Sequence, residues 1–410
     1  MIPSFNDSGW VMFDSIKKGD GFFIADDGGY VRLYDDNSYA ALKKVMYTVD
    51  IIDGNTYTLD VSYSINNIKH ESMVYGLITL YNPEDKTTRR MYLDRPSKEK
   101  LEIVFKANNE IKVRVELGLK SYGDVKFYPP VLKEGGEIKS KNVKLAAVHI
   151  KPIVGIAYQD NLKRIEEGLD KAADMGADLI CFAETINDRL VALTWEEKFE
   201  SMDGTFCTLM KRKAKEKGVF LFFSFHHLDE NGARRSTAVL LDRQGEIVGT
   251  FNKSNLTISE FDAGMVAGDE YPVFDTELGK IGMLICWDSF FPESSRAMAL
   301  RGAEILLIST AGNPTHRHFA RAKENGVYVV VACTGTKDEG VEPTKIISPK
   351  GEVLAQQGES GEIAFAEVDL YDSKNRDIYW LSVGSAWGEP NNIYMNEVRP
   401  DLFDIIFPKE

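Results

Sequence analysis

The sequence predicts two domains of different class, an antiparallel β-sandwich followed by an α/β domain. Three observations carry this. Before residue 140 apolar residues recur with period two, the mark of half-buried strands. After residue 143 wholly apolar runs alternate with helical patterns, the mark of strands buried on both faces. Between them "PPVLKEGGEIKSKN" (129–142) is rich in Pro, Gly and Lys and reads as a linker. The expected division is 1–138 and 139–410.

In the first part Tyr57, Leu59, Val61 and Tyr63 alternate with Thr58, Asp60, Ser62 and Ser64. Ile111, Val113, Val115 and Leu117 alternate with Lys112, Arg114 and Glu116. Asp53-Gly54 and Asp26-Asp27-Gly28-Gly29 read as turns between strands. No amphipathic helix is expected in residues 20–130.

In the second part 143–150 is an apolar strand. A helix follows over 160–177, with Leu162, Ile165, Leu169 and Ala173 on one face. Residues 178–184 form a buried strand, 204–218 a helix ending at Gly218, and 219–225 a third strand. The runs "STAVLLD", "KIGMLIC", "AEILLIS" and "GVYVVVAC" are further strands. A helix over 292–303 opens with Pro292 and Glu293, both suited to a first turn.

Composition narrows the function. The 410 residues carry a formal net charge of −14 and no basic run, against a nucleic-acid partner. No apolar stretch approaches the ~18 residues of a membrane helix, and "MIPSFNDSGW" lacks the pattern of a signal peptide. Cys181, Cys207, Cys286 and Cys333 form no CxxC pair and no metal-ligand spacing. A reducing, cytoplasmic setting is expected, with no metal and no cofactor.

One cysteine stands apart. In "GKIGMLICWDSFFPE" (279–293) the strand 280–285 delivers Cys286 to a strand-to-helix turn. In α/β sheets ligands bind beyond the carboxyl ends of strands. A nucleophile on such a turn faces substrate while the next N–H lines the site. Glu184 closes the strand "DLICFAE", Lys253 follows "EIVGTFN", and Glu260 lies seven residues on. A thiol needs a base to become a nucleophile. A carboxylate can take its proton and return it to a leaving amine, and a lysine can hold the oxyanion. The pair His226-His227 reads as a strand end.

These residues and their surroundings resemble the nitrilase superfamily of carbon–nitrogen hydrolases, over about residues 143–400. The likeness rests on Glu184, Lys253 and the "ICWDSFFPE" block. It rests also on "GDEYPVFDTELGKIG" (268–282), "RAMALRGAEILLIS" (296–309), "ARAKENGVYVVVAC" (320–333) and "IISPKGEVLA" (346–355), in their usual order. "NNIYMNEVRPDLF" (391–403) resembles the tail of carbamoyl-amide hydrolases. The resemblance implies an α-β-β-α sandwich and a Glu184–Lys253–Cys286 triad, with Glu260 as a second glutamate beside the lysine. It also implies thioester chemistry on a small amide-type substrate, and a homo-oligomer. Trp287, Asp288 and Asn313 are the expected substrate contacts, the N–H of Trp287 joining Lys253 at the oxyanion. Where the family usually has Pro before the glutamate this chain has Ala183, and the lysine lies in Phe251-Asn252-Lys253-Ser254-Asn255. Asp288, where nitrilases tend to carry Glu, points to the amidase and carbamoylase branches.

Other readings stay open. The β-rich domain, with "DGNTYTLDVSYS" (53–64), resembles carbohydrate-binding jelly rolls and is a candidate glycan binder. The chain could then be an accessory scaffold on an inactive hydrolase fold, or an acyl transferase using the same residues. Loops 186–203 and 311–318 offer Asn187, Asp188, Arg189, Trp195, His316, Arg317 and His318 to a pocket. Arg189 and Arg317 could each read a substrate carboxylate or form a surface ion pair.

Overall fold

The structure is a computed structural model. It describes residues 2–14, 22–25, 28–35, 42–68, 73–84, 88–120, 123–312, 316–335, 341, 343–357 and 362–372, and the backbone of 379–380 and 385–386. Asn313, Asp26, Asp27 and the tail 391–403 lie outside these residues. The chain divides into two compact units at Lys139/Ser140, and the first also takes in the strands at Tyr379–Trp380 and Ser385–Ala386.

The first unit holds strands β1 (Val11–Asp14), β2 (Phe22–Ile24), β3 (Val31–Asp35), β4 (Lys43–Asp50), β5 (Thr56–Asn66) and β6 (Val74–Tyr81). It continues with β7 (Thr88–Tyr92), β8 (Asp94–Ser97), β9 (Lys100–Lys106), β10 (Lys112–Leu119), β11 (Gly123–Phe127) and β12 (Val131–Glu134). β1, β4, β10, β6 and β7 make one antiparallel sheet; β2, β3, β11, β5, β9 and β8 make the other, with β12 on β5. Tyr57, Leu59, Val61 and Tyr63 all point into the core, as their spacing requires.

The Asp53-Gly54 turn lies between two strands as expected, and with Gly54 at φ 83° it joins β4 of one sheet to β5 of the other. Two details differ from expectation. In β10 Ile111 precedes the ladder and is exposed, while Glu116 on the outward face is buried. Lys44 and Arg114 donate to the Glu116 carboxylate at 2.6 and 3.1 Å, which lets a charge sit there. Within the expected linker Val131–Glu134 is strand β12 and Asn142 opens β13, which leaves 129–130 and 135–141 outside regular structure.

The second unit starts with β13 (Asn142–Val148), α1 (Tyr158–Asp174), β14 (Leu179–Cys181), α2 (Thr205–Lys217), β15 (Phe220–Leu228), β16 (Arg234–Leu241) and β17 (Ile247–Asn252). Then come α3 (Ile258–Asp262), β18 (Val273–Thr276), β19 (Gly279–Ile285), α4 (Pro292–Leu300), β20 (Ile305–Thr310), α5 (Arg317–Asn325), β21 (Tyr328–Cys333), β22 (Lys345–Ile347), β23 (Val353–Gln356) and β24 (Ile363–Asp369). One sheet runs β17-β16-β15-β14-β13-β24, the other β18-β19-β20-β21-β22-β23. Each has three parallel strands, β13-β14-β15 or β19-β20-β21, and antiparallel strands at both edges. One apolar core includes both sheets, α1 and α2 against the first and α4 and α5 against the second, an α-β-β-α sandwich. Ser309 on β20 donates to Ser224 on β15 at 2.9 Å, a polar pair between the sheets.

Helix faces follow the sequence closely. Leu162, Ile165, Leu169 and Ala172 make the buried stripe of α1. Ala172 is fully buried, and Ala173, the expected fourth member of the stripe, is partly buried and packs against the same core. α2 ends where Gly218 enters the left-handed region at φ 64°.

Candidate active site

Four strand ends of the second unit build one site. β14 runs out through Phe182 and Ala183 into Glu184, and β17 into Lys253. β19 ends at Ile285, with Cys286 next, and β20 is followed by Ala311. Two of these strands come from each sheet, so the site draws on both halves of the sandwich.

Lys253 is the hub. Its side chain is 1% exposed, and its Nζ donates to Glu184 Oε1 at 2.9 Å and to Glu260 Oε1 at 2.6 Å. The Lys253 N–H donates to Ser236 O at 2.9 Å, which fixes the backbone that carries it. Glu184 Oε2 accepts the Ala311 N–H at 3.1 Å. Glu184 also lies close enough to the Cys286 thiol for the two to act on each other's protonation.

Glu260 serves two partners. It sits at the third position of α3, in a capping box with Thr257. Its Oε2 accepts from the Thr257 N–H at 2.8 Å and hydroxyl at 3.0 Å, leaving Oε1 for Lys253.

Cys286 opens a 3-10 turn (Cys286–Phe290) with φ 42°, a left-handed backbone that costs a non-glycine residue ~1–2 kcal/mol. Such a value directs the side chain away from the run of the strand. Asp288 braces the turn from inside. It is fully buried; Oδ1 accepts from the Asn255 N–H at 2.7 Å and amide at 3.0 Å, and Oδ2 from the Ile285 N–H at 3.2 Å. Expected to meet substrate, Asp288 instead has both oxygens occupied within the protein. Trp287 is half-buried, and its ring lies 4.2 Å from that of Phe290.

The charges settle into a definite pattern. Burial would raise the Glu184 carboxyl, but the Lys253 charge and hydrogen bond, with the thiol, hold it below its ordinary value. Burial opposes the Lys253 charge, yet Glu184, the thiol and Glu260 raise it well above the usual lysine value. The Cys286 thiol is pushed up to about 12, by burial first and the Glu184 charge second, against the pull of Lys253, the Thr310 hydroxyl and the Ala311 N–H. The resting site is therefore an ionised base, a protonated lysine and a neutral thiol.

Burial also raises Asp288 to about 6, against the Asn255 donors, the Lys253 charge and the Ile285 N–H. The folded state then holds this proton more tightly than the open chain does. The stability it contributes is full below the unfolded value and is lost as pH rises through about 6. Between about pH 4.5 and 7.5 the wild type should lose about 2 kcal/mol relative to Asp288→Asn. Urea unfolding of both proteins at the two pH values measures this; a difference that stays constant, or moves the other way, contradicts it.

The remaining loop residues are placed as follows. His226 Nδ1 pairs with Asp188 at 2.8 Å and His227 Nδ1 with Thr237 at 3.1 Å, so each of the two histidines has a local partner. Trp195 packs on the His226 ring at 5.3 Å, and Asn187 is fully buried. Arg189 lies close enough for its charge to act on Glu184. His318 is buried, with Nε2 3.4 Å from the Ser289 hydroxyl; His316 is exposed. Sequence reasoning missed Thr310 and the Ala311 N–H. The only signal was their position at the end of a buried strand, since a backbone N–H has no letter of its own.

Comparisons with known proteins agree with this architecture. The carbon-nitrogen hydrolase family model matches residues 144–375. A nitrilase of Pyrococcus abyssi is 31% identical over 252 residues, covering 58% of this chain and 93% of that protein. N-carbamoylputrescine amidase of Solanum tuberosum is 27% identical over 283 residues, 60% of this chain and 89% of that protein. Among solved structures, a variant of the Nesterenkonia sp. amidase superposes with a TM-score of 0.52 at 22% identity, covering 66% of this chain and all (100%) of that one. The chain belongs to the carbon-nitrogen hydrolase family of the nitrilase superfamily, through its domain at residues 144–375.

Proposed function

We propose that this protein hydrolyses a non-peptide amide or N-carbamoyl compound through a Cys286 thioester. The observation that carries the reading is Lys253 Nζ bridging Glu184 and Glu260 beside a thiol on a left-handed turn.

Glu184, ionised, takes the Cys286 proton as sulfur attacks the carbonyl carbon. The C–O double bond becomes an oxyanion, held by Lys253 and the Trp287 N–H. Trp287 is the second residue of its turn, and the leading N–H groups of a helix have no acceptor within it, so the Trp287 N–H is free to donate to the oxyanion. Glu184 returns the proton to nitrogen, the C–N bond breaks, and ammonia or an amine leaves. Water then gives a proton to Glu184 and attacks the thioester, releasing the acid and restoring the thiol. A thiol near 12 suits this sequence, because the proton stays on sulfur until the base is aligned with a substrate. Asp288 and Glu260 act as positioning residues, the first for the turn and the second for Lys253.

Asp288 after Cys286-Trp287 and the amidases among the relatives favour amides over nitriles. The test is ammonia release from a panel of amides, N-carbamoyl amines and nitriles, by wild type and Cys286→Ala. Turnover of an amide or carbamoyl compound that vanishes with the thiol is expected. Turnover that survives Cys286→Ala, or a well-folded wild type silent across the panel, overturns the reading; activity on nitriles alone overturns the substrate class.

A further inference from the structure

Arg317 is a cation with no counter-ion among the described residues. Its guanidinium carbon lies 3.9 Å from the centre of the Phe290 ring, and its Nη1 is shut off from solvent with no hydrogen-bond partner. A buried donor left unpaired is costly, and a ring face does not satisfy it. The contrast with Arg321, one turn on, is plain. Arg321 donates to Ser289 O at 3.0 Å, to Phe290 O at 3.1 Å and to Glu324 at 2.7 Å. Arg321 ties the helix to the turn by hydrogen bonds and an ion pair; Arg317 meets only the Phe290 ring, and no hydrogen bond uses its Nη1.

The helix makes the vacancy sharper. Arg317 is the first residue of α5, whose first turn has no acidic residue. A positive side chain there sits at the positive end of the helix dipole. An anion would relieve both the dipole and the unpaired donor.

The position points to substrate. The Phe290 ring packs at a tilt against that of Trp287, centres 4.2 Å apart, and Trp287 adjoins Cys286. Six residues before Arg317, Ala311 donates to Glu184. The arginine at the start of α5 thus sits on the last residue of the thiol turn, one ring pair from Trp287, the neighbour of Cys286.

From the unpaired Arg317 guanidinium stacked beside the Cys286 turn, we infer that the substrate is an acid amide, with a carboxylate at the end remote from its scissile C–N bond that pairs with Arg317. This rests on the hydrolase reading above and deepens it. Arg317 is a specificity residue: it touches the substrate's charge and takes no part in bond breaking.

The test separates binding from chemistry. Monoamides of three- to six-carbon dicarboxylic acids are titrated calorimetrically into Cys286→Ala, each beside its neutral alkyl amide of equal length. At one length the acid amide should bind about 10–100-fold more tightly, the range for a charge-assisted pair. Adding Arg317→Gln should bring that ratio near one, and Arg317→Lys should restore part of it. A neutral amide bound as tightly at every length, or a preference that survives Arg317→Gln, overturns the inference. Wild-type turnover of the same pairs tells the two ideas apart. Cys286-dependent cleavage without preference for the acid sinks the inference alone. Acid amides bound through Arg317 but never cleaved uphold the anion site and sink the hydrolase reading.

Discussion

Lys253→Met should cost both turnover and stability. The side chain is 1% exposed and neutralises two carboxylates, Glu184 and Glu260. Methionine fills similar space but leaves both acids without their cation. Breaking a buried pair from one side typically costs ~3–5 kcal/mol, because the orphaned charge stays in the protein. Glu184 would respond by rising toward protonation, and a protonated carboxyl cannot take the thiol proton. Loss of the oxyanion donor alone accounts for ~10²–10³ in turnover, and loss of an ionised base adds to it. Denaturant midpoints and kcat for Lys253→Met should therefore fall together. Lys253→Met with Glu184→Gln should be more stable than Lys253→Met alone, since the second change removes an orphaned charge. A Lys253→Met protein as stable as wild type would mean the two carboxylates do not depend on the lysine, and the electrostatic account would fail.

The second large effect is at Cys286, where activity and stability should part company. Cys286→Ala and Cys286→Gly both lack the nucleophile, and turnover should drop by ~10⁴-fold or more. Their stabilities should differ. Alanine inherits the left-handed strain at φ 42°. Glycine relieves it at a smaller entropic cost in the open chain, a net gain of about 0.5–1 kcal/mol. Cys286→Gly should thus unfold at higher urea than Cys286→Ala, with the same slope. If alanine proves the more stable, the turn is not strained and the cysteine's orientation has another cause.

The sequence was most legible where a pattern has to repeat. Alternation along Tyr57, Leu59, Val61 and Tyr63 and the stripe of α1 report burial, because every turn or pleat must face the core again. The ends of β14, β17 and β19 were legible for a related reason: an ionisable or nucleophilic residue closing an apolar run has no place in the core itself. Single exceptions were not legible. Glu116 reads as an outward charge, and only its neighbours Lys44 and Arg114 make it buried. Asp288 reads as a group facing substrate, and only the Asn255 and Ile285 donors show that it faces inward. Ala311 and Thr310 could not be found, since what they offer depends on strand register. The partner of each group is a fact of three dimensions, and a one-dimensional pattern records only its kind.

The capping box on α3 has a consequence for how this protein meets heat. The helix has five residues and none is buried; Ile258 is 82% and Phe261 72% exposed. Little fastens it except Glu260, whose carboxylate holds the helix start with one oxygen and Lys253 with the other. A segment with so few apolar anchors opens at a fraction of the global unfolding free energy. When it frays, Glu260 leaves the lysine and the charge balance around Glu184 shifts, while the two-sheet core stays intact. Warming would then extinguish the chemistry below the melting point of the sandwich, and cooling would restore it. The chemistry of the two-sheet core would in this way answer to temperature through a single turn of exposed helix.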